Sequence, residues 1–213
     1  MLKKYHVHVM VSFLFISCIS YAQQVEVIAI EYPPFTSATL PHGGLAFELL
    51  SNNELTKKIQ WKPLFLPPKR AGKMINEGRW CASFIPVLNK HARFIQYKLS
   101  DEQIKLGLIR LARDDDFTWQ TLTDLQGKTI AILRTSDESP FAKQFIDAGL
   151  QVVFVESVEL ALRMVMLKRV DFAFADSQLI ARAKLSKKEQ LSLQFSHSLL
   201  QTTPVSVFIN ADC

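Results

Sequence analysis

Apolar positions along this chain alternate between two rhythms. Short stretches rich in apolar residues, Val25 to Ile30, Gln60 to Leu66, Trp80 to Ile85 and Ile104 to Leu111, read as strands. Between them, Leu45 to Leu55 places apolar residues at helical spacing, and Pro67-Pro68 opens a helix that runs to about Glu77 and stops at Gly78. Tyr32-Pro33-Pro34-Phe35 ends the first strand, because proline cannot continue a hydrogen-bonded ladder. Asn89 to Phe94 reads as a short helix.

The second half repeats the alternation. Thr129 to Leu133, Val152 to Val155 and Val170 to Ala175 read as strands. Ser136 to Ala148, Ser157 to Leu167 and Asp176 to Lys184 read as the helices between and after them, Ser157 being a natural cap. Leu191 to Phe195 and Val205 to Ile209 are two further strands. Alternating strands and helices mean βαβ units and an α/β class. The pattern predicts two α/β lobes with mainly parallel central sheets joined by extended crossings. The expected division is a leader over 1–22, a first lobe over 23–108, a second lobe over 109–203 and a return strand over 204–213.

Composition narrows the class. The chain has 213 residues, 48% of them hydrophobic, so it can bury a sizeable core and is too apolar for disorder. A net charge of +5 without basic runs interleaved with aromatics gives no footing to nucleic-acid binding. Lys3-Lys4, the apolar run Val9 to Ile19 and Ser20-Tyr21-Ala22 have the order of a secretory signal peptide, cleaved before Gln23. That places the mature protein in the periplasm. A lipid anchor at Cys18 is the lesser alternative, through Phe15-Ile16-Ser17-Cys18. Cleavage leaves Cys81 and Cys213. Cys81, in an apolar stretch, reads as a buried small hydrophobe, and the partner of Cys213 is open.

In α/β sheets, ligands bind beyond the carboxyl ends of the strands. That singles out Glu31-Tyr32, Pro86-Val87, Arg134-Thr135-Ser136 and Asp176. There is no Gly-x-Ser-x-Gly elbow, no P-loop and no zinc-spaced Cys/His cluster, so no catalytic residue, metal or cofactor is expected.

Several motifs in order resemble the family 3 extracellular solute-binding proteins. They are Glu31-Tyr32-Pro33-Pro34-Phe35, Gly44-Leu45-Ala46-Phe47-Glu48-Leu49-Leu50, Pro67-Pro68-Lys69-Arg70-Ala71, Asp124-Leu125 with Gly127-Lys128, and Val170-Asp171-Phe172-Ala173-Phe174-Ala175-Asp176. The resemblance implies that the two lobes form a hinged clamshell, a monomeric protein that closes on an amino acid or similar carboxylate-bearing solute and delivers it to the permease of an ABC importer. It also implies a site. Arg93 would grip the ligand carboxylate and Asp176 its ammonium, Tyr32 would line the cleft, and Thr135, Ser136 and Asp137 would add polar contacts, with Arg70 a further cleft residue. The chemistry is coherent, because a guanidinium forks onto a carboxylate and a helix start offers free N–H groups. Plainer roles stay open for each residue: Arg93 a surface arginine, Tyr32 a packed turn aromatic, Asp176 a helix cap, Arg70 part of a solvated helix face.

Departures from the family are visible too. Pro86-Val87-Leu88 stands where hydroxyl residues are usual, Lys90-His91-Ala92 alters the stretch before Arg93, and the chain stops at Cys213 where a further helix is expected. Three rival readings follow. One is an enzyme of cyclohexadienyl or arogenate dehydratase type, with Glu31 or Asp137 as its acid. The others are a sensor or interaction module without transport, and a truncated paralogue without function.

Overall fold

The structure is a computed structural model that describes residues 24–87, 92–135 and 139–213. The leader with Cys18, the residues 88–91, and the candidate site residues Ser136 and Asp137 lie outside the described residues. No helix among the described residues is long and apolar enough to cross a membrane.

Strand β1 (Gln24–Ala29) pairs in parallel with β2 (Gln60–Phe65) and with the two-residue strand β3 (Ala82–Ser83). Helices α1 (Leu45–Asn52) and α2 (Pro68–Asn76) cover the two faces of this group. The period-2 alternation of a strand decides which residue faces which helix. Val27 and Ala29 pack with Phe47 and Leu50 of α1, while Ile28 packs with Ala71 and Ile75 of α2. The half of the strand that is buried on both faces, Val27 to Ala29, is accordingly apolar at every position.

The second group repeats the plan. Strand β5 (Thr129–Leu133) pairs in parallel with β6 (Gln151–Val155) and β7 (Phe172–Asp176). Ile130 and Ile132 meet Phe145 of α3 (Pro140–Asp147), and Ala131 meets Leu162 and Val165 of α4 (Val158–Met166). Helix α4 begins at the Ser157 cap, whose hydroxyl accepts from Leu160 N at 3.1 Å. Helix α3 starts later than the sequence suggests. Pro140 fits its first turn, and Ser139 is the cap, accepting from Ala142 N at 3.1 Å.

Two long strands join the groups. β4 (Phe94–Leu111) and β9 (Gln201–Asn210) lie antiparallel, with a register shift between Lys98 and Gln103. β9 pairs with β3 on one side, and β4 with β7 on the other, so the sheet order is β2-β1-β3-β9-β4-β7-β5-β6. The strand expected over Ile104 to Leu111 is thus the second half of a longer one. Phe94, expected at a helix end, opens that strand instead, because its backbone pairs with Asn210. The helix expected over Asp176 to Lys184 is shorter, α5 (Leu179–Arg182). Helix α6 (Lys187–Leu191) takes the start of the run expected as a strand, leaving β8 (Leu193–Phe195) beside β4. Ser186 and Glu189 form the capping box that starts α6.

The expectation for Cys81 is corrected by the register. Ala82 pairs with Ile209, and Asn210 N donates to Cys81 O at 2.8 Å. The turn after β9 then brings Cys213 back, its N–H donating to Asn210 O, and the two cysteines form a disulfide with Cα atoms 5.3 Å apart. The bond closes a loop spanning 132 residues. A loop of that size contributes a few kcal/mol by restricting the unfolded chain. Replacing Cys213 by serine is therefore expected to cost about 2–5 kcal/mol and to lower Tm by roughly 5–15 °C. Thermal melts of the oxidised protein and the variant check this, and equal melting would exclude a stabilising bond.

Candidate functional site

The site begins with the turn after β1. Tyr32 N donates to Thr36 O at 2.7 Å, Thr36 N returns to Tyr32 O at 3.1 Å, and the Thr36 hydroxyl donates to Ile30 O at 2.7 Å. The Pro33-Pro34 peptide is cis. The turn also supplies acceptors to the first N–H groups of α1, which have no partner inside the helix. Leu45 N donates to Pro34 O at 3.0 Å and Ala46 N to Phe35 O at 2.8 Å. Gly44 has φ of 99°, and a Cβ there would lie 2.8 Å from both of those carbonyl oxygens. The Tyr-Pro-Pro-Phe turn and the glycine before α1 are therefore one device, which fixes where the Tyr32 ring stands.

Asp176 is the last residue of β7 and is 1% exposed. Four donors surround its carboxylate. The Tyr32 hydroxyl donates to Oδ2 at 2.9 Å, and Gln178 N donates to Oδ1 at 2.9 Å. Arg182 completes a two-pronged pair, Nη2 donating to Oδ2 at 2.5 Å and Nη1 to Oδ1. Arg182 is also anchored to the turn after β1, its Nε donating to Pro33 O at 2.9 Å. Its guanidinium lies 5.7 Å from the Tyr32 ring centre and 5.8 Å from that of Phe35.

The charges follow from this arrangement. Burial alone pushes the Asp176 carboxyl upward, but the Arg182 pair, the Tyr32 hydroxyl and the Gln178 N–H outweigh it and hold the group below the usual carboxylate range. Burial, then the neighbouring Asp176 charge, push the Tyr32 hydroxyl well above its ordinary value, so it stays protonated and donates. Burial works against the Arg182 charge, and Asp176 overcomes it.

Asp176 thus closes the turn before α5, whose cap position is Gln178, and serves as the charged centre. Its main partner, Arg182, was not among the residues singled out from sequence. The signal was its position in the last turn of a helix that begins just after the strand. Helical side chains slant toward the amino terminus, so a long side chain there folds back over the strand end.

The other expected residues fall differently. Arg93 precedes β4, and its carbonyl accepts from Ala211 N. Its side chain is 76% exposed and pairs with Asp212, which borders the same hollow as Gln24 at the start of β1. Tyr32 lies past the opposite end of β1, so the structure does not bring Arg93 together with Asp176. The reason is the register that starts β4 opposite the end of β9. Arg70 is exposed in the first turn of α2, and Thr135 is half-buried just after β5. No group of three or more His, Cys, Asp or Glu able to hold a metal occurs among the described residues.

Beside the Tyr32 turn lies a cavity of about 210 Å³. Tyr32, Phe35, Phe84, Ile104, Leu106 and Pro204 are among its lining residues, drawn from the turn, from the residues after β3 and from both long strands.

No family model matches the sequence, and no match is found among curated proteins. Solved structures do match. The GluR0 ligand-binding core from Nostoc punctiforme in complex with L-glutamate shares 17% identity at a TM-score of 0.66, covering 88% of this chain and 85% of that one. An arginine 3rd transport system periplasmic binding protein from Legionella pneumophila shares 17% at 0.62, covering 89% and 86%. Holo ArgBP from T. maritima shares 18% at 0.60, covering 89% and 83%. What is shared at these identities is the fold, the α/β clamshell expected from the alternation of strands and helices and from the family resemblance.

The Asp176–Arg182 pair generates a pH prediction. A carboxyl held below its unfolded value, about 3.9, stabilises fully above that value and loses the contribution as pH falls through the folded one. Replacing Arg182 by alanine leaves a buried carboxylate without its cation. The expected cost is about 3 kcal/mol near neutral pH. Because burial then acts with less opposition, the folded carboxyl rises toward or above its unfolded value, so acid removes less stability from the variant and its deficit relative to the parent narrows as pH falls. Urea melts between pH 7 and 3 measure both effects, and a deficit that stays constant over that range would refute the assigned role.

Proposed function

We propose that this protein is a periplasmic solute-binding protein. It captures an amino acid or similar small carboxylate-bearing solute between its two lobes and hands it, as a monomer, to the permease of an ABC importer. The observation that carries the reading is the meeting of Tyr32 and Phe35, from beyond β1, with Asp176 and Arg182, from β7 and α5, next to a lined cavity. Ligands of open α/β sheets bind beyond the carboxyl ends of such strands. The leader over 1–22 supports export, and the neighbours whose structures hold L-glutamate or arginine support a small dipolar solute.

A binding role also suits the chemistry better than the dehydratase alternative. A general acid must hold a proton near working pH. Asp176 is held ionised with its oxygens engaged. Glu31 is exposed, and its carboxylate accepts from Ala38 N at 2.7 Å within its own turn. Solute contacts made from both sides favour the closed arrangement, and only contacts that differ between open and closed states shift that balance.

Calorimetry and thermal melts of the leaderless protein, screened against amino acids, small organic acids and amines, test the reading. A solute present at a hundred times its Kd adds about 2.7 kcal/mol, which raises Tm by roughly 5–10 °C. A screen in which none of these classes binds would sink the proposal.

A further inference from the structure

One face of the second lobe carries charge that no bond described so far uses. Helix α4 turns Val158, Ala161, Leu162 and Val165 inward onto the sheet. Residues three and four positions apart share a helix face, so Leu160, Arg163 and Leu167 form a stripe on the opposite side, and all three are exposed. Lys168 and Arg169 follow at once and are exposed too. The chain around α5 and α6 covers the same face of the sheet, because Ala183 and Leu185 pack on the cluster that buries α4. Lys187, Lys188 and Leu191 of α6 point outward. Ser186 first, then the charge of Arg163, hold the Glu189 carboxyl below its ordinary range, which places the α4 stripe beside α6.

The fold does not account for these charges. Among the described residues, no ion pair involves Arg163, Lys168, Arg169, Lys187 or Lys188. Two acids share the face. Glu159 stands in the first turn of α4, and Glu189 is engaged with Ser186, whose N–H and hydroxyl both donate to it at 2.7 Å. The helix dipole gives no reason for Lys187 and Lys188, since they open α6, where positive charge is disfavoured. Lys168 occupies a backbone site suited to glycine. Its φ is 55°, and its N–H donates to Val165 O at 2.9 Å to close α4. Gly78 and Gly149 take the corresponding places after α2 and α3, with φ of 72° and 82°. A side chain in this left-handed region is disfavoured, so the lysine is kept against a backbone preference. The leucines stand out as well: Leu160 is 43% exposed, Leu167 62% and Leu191 69%.

Cations interspersed with exposed aliphatic side chains match an anionic bilayer surface. The charges are drawn to the headgroups, and the apolar side chains enter the boundary beneath them. A protein partner fits less well. Protein interfaces are enriched in aromatic residues and depleted in lysine. Here three of the five cations are lysines, and no exposed residue between 158 and 191 is aromatic. We infer that this face of the second lobe rests on a membrane surface rich in anionic phospholipid, the cations of α4 and α6 meeting the headgroups and Leu167 and Leu191 the acyl boundary. The inference stands apart from the solute-binding reading.

Vesicle co-sedimentation tests it. The protein is used without its leader, because the apolar run Val9 to Ile19 would partition into lipid by itself. It should sediment with vesicles of phosphatidylglycerol in phosphatidylcholine and not with phosphatidylcholine alone, and high salt should release it. Each cation at such a surface is worth about five-fold in partitioning. Replacing Lys187 and Lys188 together by glutamine should therefore weaken binding about 25-fold. Lys168→Gly should weaken it about five-fold while Tm holds or rises, because glycine suits that backbone; this separates membrane contact from a structural role. Replacing Leu167 and Leu191 by serine should weaken binding further. Sedimentation with neither vesicle, equal sedimentation with both, or parent-like sedimentation of the lysine variants overturns the inference. Binding to soluble polyglutamate without sedimentation on the anionic vesicles also overturns it, in favour of an acidic protein partner.

Discussion

A carboxylate that is almost wholly removed from water must be surrounded by donors or give up its charge. Asp176 keeps its charge, and the surroundings that allow this tie distant parts of the chain together. Tyr32 and Pro33 stand in the turn after β1, whereas Gln178 and Arg182 follow β7. The Tyr32–Asp176 bond spans 144 positions of sequence, and the Arg182–Pro33 bond spans 149. A buried ion pair adds less stability than its short contacts suggest, because desolvation offsets the attraction. Its value here is geometric. The placement of the Tyr32 turn against the end of β7 lets four donors meet the Asp176 carboxylate at once.

The scaffold that permits this placement is set by strand direction. In each group the outer strands run parallel, so their carboxyl ends share one edge, and β4 and β9 run between the groups. The opposite edge of the first group is occupied by different chemistry. There the Cys81–Cys213 bond ties the segment after β9 to the start of β3, and the Arg93–Asp212 pair ties it to the start of β4. The exposed Arg93–Asp212 pair adds little in water. The disulfide is the stronger tie, because it acts on the unfolded chain whatever the surface solvation.

Much of this could be read from the sequence, and the exceptions have physical causes. The strands β1, β5 and β7 were legible because their buried stretches are rich in apolar residues. Helices α2 and α4 were legible because Pro67-Pro68, Gly78 and Ser157 mark their ends by backbone chemistry alone. The extension of β4 was not, since its first half carries exposed Ile95, Gln96 and Lys98 and gains strand geometry only by pairing with β9. The disulfide was hidden for the same reason, because it depends on the register of β3 against β9. Tyr32 and Asp176 were visible as strand-end residues. Arg182 was passed over as one more basic residue in a helix, and nothing local states that its guanidinium turns back into the interior. Arg93 is the reverse case. A motif suggested its role, but the pairing that starts β4 opposite Asn210 carries it to the far edge.

Under the proposed binding function, the self-neutralised pair bears on what a solute could contribute at this site. In a clamshell whose solute supplies the cation for a cleft carboxylate, the empty site leaves that carboxylate unpaired, and charge compensation helps to pull the lobes together. Here the compensation is made by Arg182, and bonds within the chain tie Tyr32 to Asp176 and Arg182 to Pro33. A ligand shifts a conformational balance only by what it binds better in one state than in the other. The remaining source of such a difference is the apolar wall of Phe35, Phe84, Ile104 and Leu106. Burial contributes about 25 cal/mol per Å² of apolar surface, so under the proposed binding function contact with this wall is where a solute would add most to the balance.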